Sequence, residues 1–379
     1  MELVAIEPRR AAPDVITFCV SPDVASIVTT RENARRFWWP VLLIAFVAAL
    51  VIAAGHGAVT VAWPTVIGAA LEKIGVSVPW AVDSSATPLL WSIRFPRVVL
   101  GALIGATLAT AGGALQGLFR NPLADPGVIG VSAGAALATA LSIVVGGRLM
   151  DATTAVTWVP WLMPIAAFAG AMAAATIVLF VSRNGAGQSV ATMLLAGIAV
   201  NALASAGTGL LISLANDTQL RALSFWTLGS LGGATWHVVI VAAVPMLIAI
   251  VGLQRTTRSL DLLLLGEREA QHLGVRTGRL RAIVIGCVAL GVGSAVAFSG
   301  LIGFVGLVIP HLVRLVLGPS HRGVLPLGAV LGATLLVLTD LGSRTVLAPI
   351  ELPIGAVTAA IGAPVFLWLV LRRRTGALA

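Results

Sequence analysis

Residues 98–119 read VVLGALIGATLATAGGALQGLF and contain no Asp, Glu, Lys or Arg. A helix of this length can cross the hydrocarbon core of a bilayer, which is about 30 Å thick. Glycines recur four residues apart, at Gly101 and Gly105 and again at Gly113 and Gly117. Such pairs place small residues on one helix face and let a neighbouring helix approach closely. The stretch therefore predicts a membrane-spanning helix that packs against other helices.

The rest of the chain repeats this pattern. Only 10% of the 379 residues are charged and the mean hydropathy is +1.01, whereas a soluble domain carries about 25% charged residues. Charge-free stretches also occupy residues 37–71, 128–147, 152–182, 184–216, 222–254, 282–313, 323–339 and 352–371. The composition predicts an all-α, polytopic membrane protein.

The number of spans and their orientation follow from breaks and charges. The run 282–313 is too long for one span and contains Phe298-Ser299-Gly300, so we divide it near 279–298 and 300–317, which gives about ten spans. An even number places both termini on one side, and most of the 24 basic residues lie there, which identifies it as the cytoplasm. Residues 1–36 are interpreted as a cytoplasmic N-terminal tail and residues 37–379 as a single transmembrane domain.

The charged residues argue against several functions. A net charge of +9 does not indicate nucleic acid here, because Lys73 is the single lysine and the arginines are dispersed between apolar runs. A phosphate-binding loop needs a lysine in the pattern G-x-x-x-x-G-K-[ST], and Lys73 lies outside it, so this chain is not expected to hydrolyse ATP. The sequence shows no carboxylate pair, Ser/His/Asp set or metal-ligand spacing, and predicts neither an enzyme nor a metal site.

An ion-coupled carrier is the alternative from another class. Such carriers place carboxylates deep in their spans. In this sequence Asp340 lies in a predicted span and Glu351 just before one, both towards the outer end. The ion-coupled carrier is disfavoured and stays open as an alternative.

The cytoplasmic stretch 260–276 predicts a short helix. Glu267 and Glu269 lie in its first turn, where the helix dipole favours anions, and Gly274 is placed to end it. About seven residues are too few for a helix that is stable alone in water, so the segment must dock against a partner. The alternative is a helix lying on lipid, but Ala270 and Leu273 form a narrow apolar face.

Five segments together resemble the iron-siderophore, haem and cobalamin permeases of the ATP-binding-cassette (ABC) importer class. They are RFPR at 94–97, QGLFRNPLADPGVIGVSAG at 116–134, LLLGEREAQHLGV at 263–275, GLIGFVGLVIPHLVR at 300–314 and ELPIGAVTAAIGAPVF at 351–366. The resemblance implies a cobalamin-permease-like importer fold in the bacterial inner membrane. It also implies a homodimer, two ABC ATPase subunits and a periplasmic substrate-binding protein. ATP and Mg would be bound by the ATPase, and no cofactor is expected in this chain.

The resemblance also assigns roles to residues by position. The ATPase-coupling helix, near 266–274, would comprise Leu265, Gly266, Glu267, Arg268, Glu269, Ala270, Leu273 and Gly274. The arginines that pair with glutamates of the binding protein would be Arg94, Arg97 and Arg344, with contacts to lipid phosphates as the alternative. The translocation pathway would be lined by Asn201, Ser205 and Thr208 of the fifth span and by Gly300 and Gly303 of the eighth. Gly300, Gly303 and Gly306 are expected on one side of the eighth span.

The exact sequences of these segments favour haem as the substrate. The run QGLFRNPLADPG at 116–127 resembles haem and cobalamin permeases more than siderophore permeases. The stretches QLRALSFWTLGSL at 219–231 and GEREAQHLGV at 266–275 resemble haem permeases further. We therefore predict a haem permease, with cobalamin or a ferric siderophore as the alternative cargo.

Overall fold

The computed structural model describes residues 22–57, 59–80, 82–146, 155–183 and 190–376, and in these ranges it forms helices joined by loops. The helices are α1 (Pro22–Gly55), α2 (Trp63–Lys73), α3 (Thr87–Leu118), α4 (Val131–Gly146), α5 (Ala155–Arg183), α6 (Val190–Ser213), α7 (Asp217–Leu228), α8 (Trp236–Arg255), α9 (Thr257–Leu263), α10 (Glu267–His272), α11 (Thr277–Ser299), α12 (Val305–Leu317), α13 (His321–Thr345) and α14 (Ile354–Gly376). The all-α prediction is confirmed for these residues.

Seven of the described helices are long and apolar enough to span a membrane: α1, α3, α5, α6, α8, α11 and α13. Three shorter apolar helices, α4, α12 and α14, account for the other predicted spans. The shortness of α12, at 13 residues, means that it covers only about 20 Å at 1.5 Å per residue. The structure thus supports a multi-pass membrane protein without fixing the number of crossings at ten.

The first helix extends beyond the predicted boundary of the tail. α1 begins at Pro22 and continues to Gly55, whereas its candidate span begins at Arg36. The second half of the predicted tail is therefore helical and continuous with the first span, while residues 1–21 lie outside the described residues.

The division of 282–313 into two helices is confirmed, but the segment between them differs from the prediction. Gly300 ends α11 at φ +70°, and Phe304 precedes α12 with φ +65°. Residues 300–304 are therefore non-helical, and the expectation that Gly300, Gly303 and Gly306 share one helix face is wrong. Such backbone at membrane depth requires protein or a water-filled cavity around it.

The central helix of the bundle is α3, the most buried of the seven long helices. It packs against α8, α11, α12 and α13. Two contacts bring backbone against backbone, because Gly105 faces Gly332 of α13 and Gly112 faces Gly306 of α12. The glycines of the 98–119 stretch thus serve close packing, as their spacing indicates.

We expect Gly105→Ala to lower the free energy of unfolding by about 1–3 kcal/mol through overpacking. An added Cβ would lie 2.2 Å from the carbonyl oxygen of Gly332, which belongs to a rigid helix backbone. The matched control is Gly328→Ala on α13, where no atom lies within 4 Å of the Cβ position. Thermal unfolding of the detergent-solubilised chain measures both, and equal midpoints for the two variants would contradict the close contact.

The bundle has two distinct ends. The arginine end carries Arg94, Arg97 and Arg344, at the start of α3 and the end of α13. The α10 end carries α10 and the opposite ends of α3 and α13, where the ring of His321 lies against Gly117. These names are used below for the two faces.

Candidate functional site

α10 is a six-residue helix held between two glycines. Gly266 precedes it at φ +131°, and Gly274 follows it in the left-handed region at φ +87°. At its C-terminus, the N–H groups of Gly274 and Val275 donate to the carbonyls of Gln271 and Ala270. This is the Schellman arrangement that a left-handed glycine permits. The predicted start and end of the short helix are confirmed.

α10 is fixed to the bundle by one buried residue, by an ion pair and by a hydrogen bond from Gln271 Nε2 to Thr277 Oγ1 of α11 at 3.1 Å. Ala270 is fully buried, and Glu267 Oε1 lies 2.5 Å from Nη2 of Arg281 on α11. The other predicted coupling residues point outward, since Leu265 and Leu273 are 65% and 58% exposed and Arg268, Glu269 and Gly274 are also exposed. Large exposed apolar side chains beside charged ones are typical of a protein interaction surface. α10 is therefore fixed to the bundle, while Leu265 and Leu273 on either side of it stay exposed.

A second polar cluster links α9 to the start of α13 at the α10 end. The Asp261 carboxylate of α9 accepts hydrogen bonds from the His321 backbone N–H at 2.6 Å and from the Ser320 hydroxyl at 3.0 Å, and its Oδ1 lies 2.9 Å from His321 Nδ1. Burial raises the pKa of Asp261, but these hydrogen bonds outweigh it and hold the pKa below its ordinary value. The carboxylate therefore stays ionised at neutral pH and caps α13.

Arg97 is the centre of the arginine end. Its Nε donates to Asp340 Oδ1 and Oδ2 at 3.0 and 3.2 Å, while its Nη1 and Nη2 each donate to one oxygen of Glu351 at 3.0 Å. The Arg97 residue is 8% exposed and the Asp340 side chain 3%, whereas the Glu351 side chain is 50% exposed. One arginine thus links α3, α13 and the segment before α14.

Arg94 and Arg344 hold the end of α1. Arg94 donates to the carbonyls of Ala54, Gly55 and Val59. Cations at a helix C-terminus are stabilised by its unpaired carbonyls and by the dipole.

Arg344 completes this attachment, since it donates to the carbonyls of Ala53 and His56, and its Nε lies 3.1 Å from Asp340 Oδ2. The sequence places the three arginines at span ends. In the structure Arg344 lies in the last turn of α13, whereas Arg94 and Arg97 lie within the first third of α3. However, they are buried and paired within the chain rather than extended towards solvent.

Sequence reasoning does not identify Asp340 and Glu351 as partners of the arginines. It treats them as carboxylates that an ion-coupled carrier could use, whereas in the structure both are counter-ions of Arg97. One ion pair of this network could be predicted from the sequence, because Asp340 and Arg344 are four residues apart on one helix. The partnership with Arg97 joins residues 243 and 254 positions apart and has no local signal.

The predicted pathway residues contact different elements. On α6, Asn201 donates to the Gly127 carbonyl at 2.9 Å, Thr208 donates to its own helix, and Ser205 is exposed. Gly300 lies against the Trp226 carbonyl at the end of α7, and Gly303 is exposed. Their role in lining a pathway stays a prediction.

A short turn connects these two groups of residues. A 3-10 turn at Pro126–Ile129 lies between α6 and the start of α12, because Gly127 accepts the Asn201 bond and Pro126 contacts Gly306. This turn therefore joins α6 to the first turn of α12, which directly follows the non-helical segment 300–304.

The long apolar helices and the two polar ends define a multi-pass membrane transport subunit. The chain belongs to the FecCD transport family, whose family model matches residues 41–372. It is accordingly an ABC importer permease, as the resemblance of its segments predicts.

Three related proteins illustrate the range of the family. The hemin transport system permease protein HmuU of Yersinia pestis is 44% identical over 299 residues, which are 77% of this chain and 87% of that protein. The cobalamin import system permease protein BtuC of Halobacterium salinarum is 39% identical over 316 residues, which are 83% of this chain and 81% of that protein. A solved structure of an inward-facing metal-chelate type ABC transporter matches with a TM-score of 0.75 at 32% identity and covers 87% of this chain and 97% of that one.

Proposed function

We propose that this chain is the permease subunit of an importer that moves haem from the periplasm to the cytoplasm across a bacterial inner membrane. The 44% identity to a hemin system permease is the observation that carries the choice of haem. Cobalamin is the second candidate, supported by 39% identity to a cobalamin permease. Both cargoes are large chelates with apolar faces.

The two ends of the bundle receive different partners in this proposal. The α10 end and both chain termini lie in the cytoplasm, and an ATPase binds α10, with ATP and Mg held by that ATPase. The exposed Leu265 and Leu273, which flank the fixed helix α10, support this assignment. Two permease chains and two ATPase chains form the complete transporter, so that the motion of each ATPase acts on one α10.

The arginine end faces the periplasm and receives the substrate-binding protein. Arg97 and Arg344 share one ion-pair network and Arg94 lies beside them, so three cations cluster at this end, which suits glutamates on a partner. Contacts to lipid phosphates are the alternative for these arginines, but their side chains turn into the chain and not towards its perimeter. The ion-coupled alternative loses its support, because both of its candidate carboxylates are bound to Arg97.

The direct test is reconstitution of the chain with its ATPase and binding protein in proteoliposomes. We expect ATP-dependent accumulation of haem, and none when the ATPase is omitted or when ATP is replaced by a non-hydrolysable analogue. Cobalamin and a ferric siderophore serve as competing cargoes in the same vesicles. Uptake of either one with haem left outside would refute the haem assignment and leave the permease assignment in place.

A further inference from the structure

Arg97 has an inner and an outer counter-ion. The inner one is Asp340, whose side chain is 3% exposed and which also lies beside Arg344. The outer one is Glu351, whose side chain is 50% exposed. A protein approaching the arginine end from outside therefore meets Glu351 before it meets the guanidinium.

The contact between Arg97 and Glu351 has the geometry of a recognition contact. Two parallel N–H to oxygen bonds of 3.0 Å each join the outer edge of the guanidinium to the carboxylate. This bidentate fork is the arrangement in which arginine binds any carboxylate most strongly. A glutamate of a partner protein that reached Arg97 would need the same two donors that Glu351 occupies.

The other two arginines are bound differently. Arg94 donates to backbone carbonyls at the end of α1. Arg344 donates to the carbonyls of Ala53 and His56, and its Nε lies 3.1 Å from Asp340 Oδ2. Of these three guanidinium groups, Arg97 is the one whose partner is a half-exposed side chain that can rotate away. Exchange of partners is therefore easiest at Arg97.

The chain can release Glu351 without losing its local fold. The next residue, Leu352, donates its backbone N–H to the Ser343 carbonyl at 2.8 Å, and Ile354 donates to the Gly229 carbonyl at 3.2 Å. These bonds hold the segment before α14 independently of the Glu351 side chain. Asp340 remains to neutralise Arg97 when Glu351 leaves.

We propose that Glu351 is an internal competitor for the docking carboxylate of the partner, and that docking exchanges one bidentate partner of Arg97 for another. The inference rests on the proposed docking of a binding protein at the arginine end. The exchange conserves the number of charge-assisted hydrogen bonds, so that docking at Arg97 gains little net affinity while Glu351 is charged. Glu351 therefore lowers the affinity of the resting transporter for its partner.

The test is the effect of Glu351→Gln on docking. The permease–ATPase complex in lipid nanodiscs is titrated with the binding protein that supports uptake in the reconstituted system. We expect the variant to bind about fivefold more tightly, since a half-exposed ion pair contributes up to about 1 kcal/mol, and the difference should shrink at high salt. A purely structural role for Glu351 would predict unchanged or weaker docking.

Two comparison variants separate the possible explanations. Asp83→Asn removes an exposed carboxylate that bonds only within its own turn, and it should leave docking unchanged. Arg97→Gln removes the proposed docking cation and leaves Glu351 without that partner, so that it repels the docking carboxylate, and the variant should weaken docking.

Tighter docking in Glu351→Gln but not in Asp83→Asn would support the proposal that Glu351 competes for Arg97. An equal gain in both variants would mean a general charge effect and would overturn it. Unchanged or weaker docking in Glu351→Gln, together with a loss in Arg97→Gln, would overturn the competitor and leave the docking face standing. Unchanged docking in Arg97→Gln would reject the docking face itself.

Discussion

Leu273→Glu is expected to lower ATP-driven uptake at least about tenfold while the chain still folds and inserts. Leu273 is 58% exposed, so the fold of this chain does not depend on burying its side chain. It lies directly after α10, on the surface assigned to the ATPase. Loss of a contact at the centre of an interface can cost about 2 kcal/mol, roughly a factor of 30 in binding. Co-purification of the ATPase and uptake into proteoliposomes measure the loss.

A second variant tests the mounting of α10 rather than its surface. Gly266 has φ +131°, a backbone conformation that residues with a Cβ rarely adopt, so any side chain there strains the start of α10. Gly266→Glu should therefore displace α10 and uncouple ATP hydrolysis from uptake. The control is Arg279→Glu, an exposed change of charge one turn into α11 and outside the coupling set. Normal uptake in both the Leu273 and Gly266 variants would remove α10 from the coupling role.

Much of the fold is predictable because lipid imposes a simple rule. A chain that crosses hydrocarbon must bond its own backbone, so long charge-free stretches become helices. The limits of this rule appear at residues 300–304, which are as apolar as a span. Hydropathy records the side chains, whereas here the backbone is decided by Gly300 and by the left-handed Phe304, and the latter has no signal in its residue type.

The two ends differ in how far sequence could define them. At the α10 end, Gly274 and the acidic first turn are local features, so the helix and its limits could be predicted. At the arginine end, the positions of the arginines could be predicted but not their burial. Their partners are carbonyls of α1 and carboxylates more than 240 positions away. Only the packing of α13 against both α1 and α3 brings these groups together.

Asp340→Ala is expected to destabilise the chain more than any other single change at the arginine end. Asp340 lies against both Arg97 and Arg344, and its side chain is almost fully buried. Removing one partner of a buried ion pair leaves an uncompensated charge and costs about 3–5 kcal/mol. Asp340→Asn, which keeps the shape and loses the charge, should cost less. Both changes should lower the stability more than Asp83→Asn does, because Asp83 is an exposed carboxylate.

The order of thermal midpoints in detergent tests this network, with tryptophan fluorescence as the probe. The decisive comparison is the double variant Asp340→Leu with Arg344→Met. It removes the buried anion together with one of its cations, while Arg97 keeps Glu351 as its counter-ion. Replacing both members of a buried pair by apolar residues is often nearly neutral, so the double variant should be more stable than Asp340→Leu alone. An Asp340→Leu variant with the same thermal midpoint as the unsubstituted protein would show that the carboxylate does not stabilise the arginine end. The backbone carbonyls at the end of α1 would then be enough to stabilise the buried charge of Arg344.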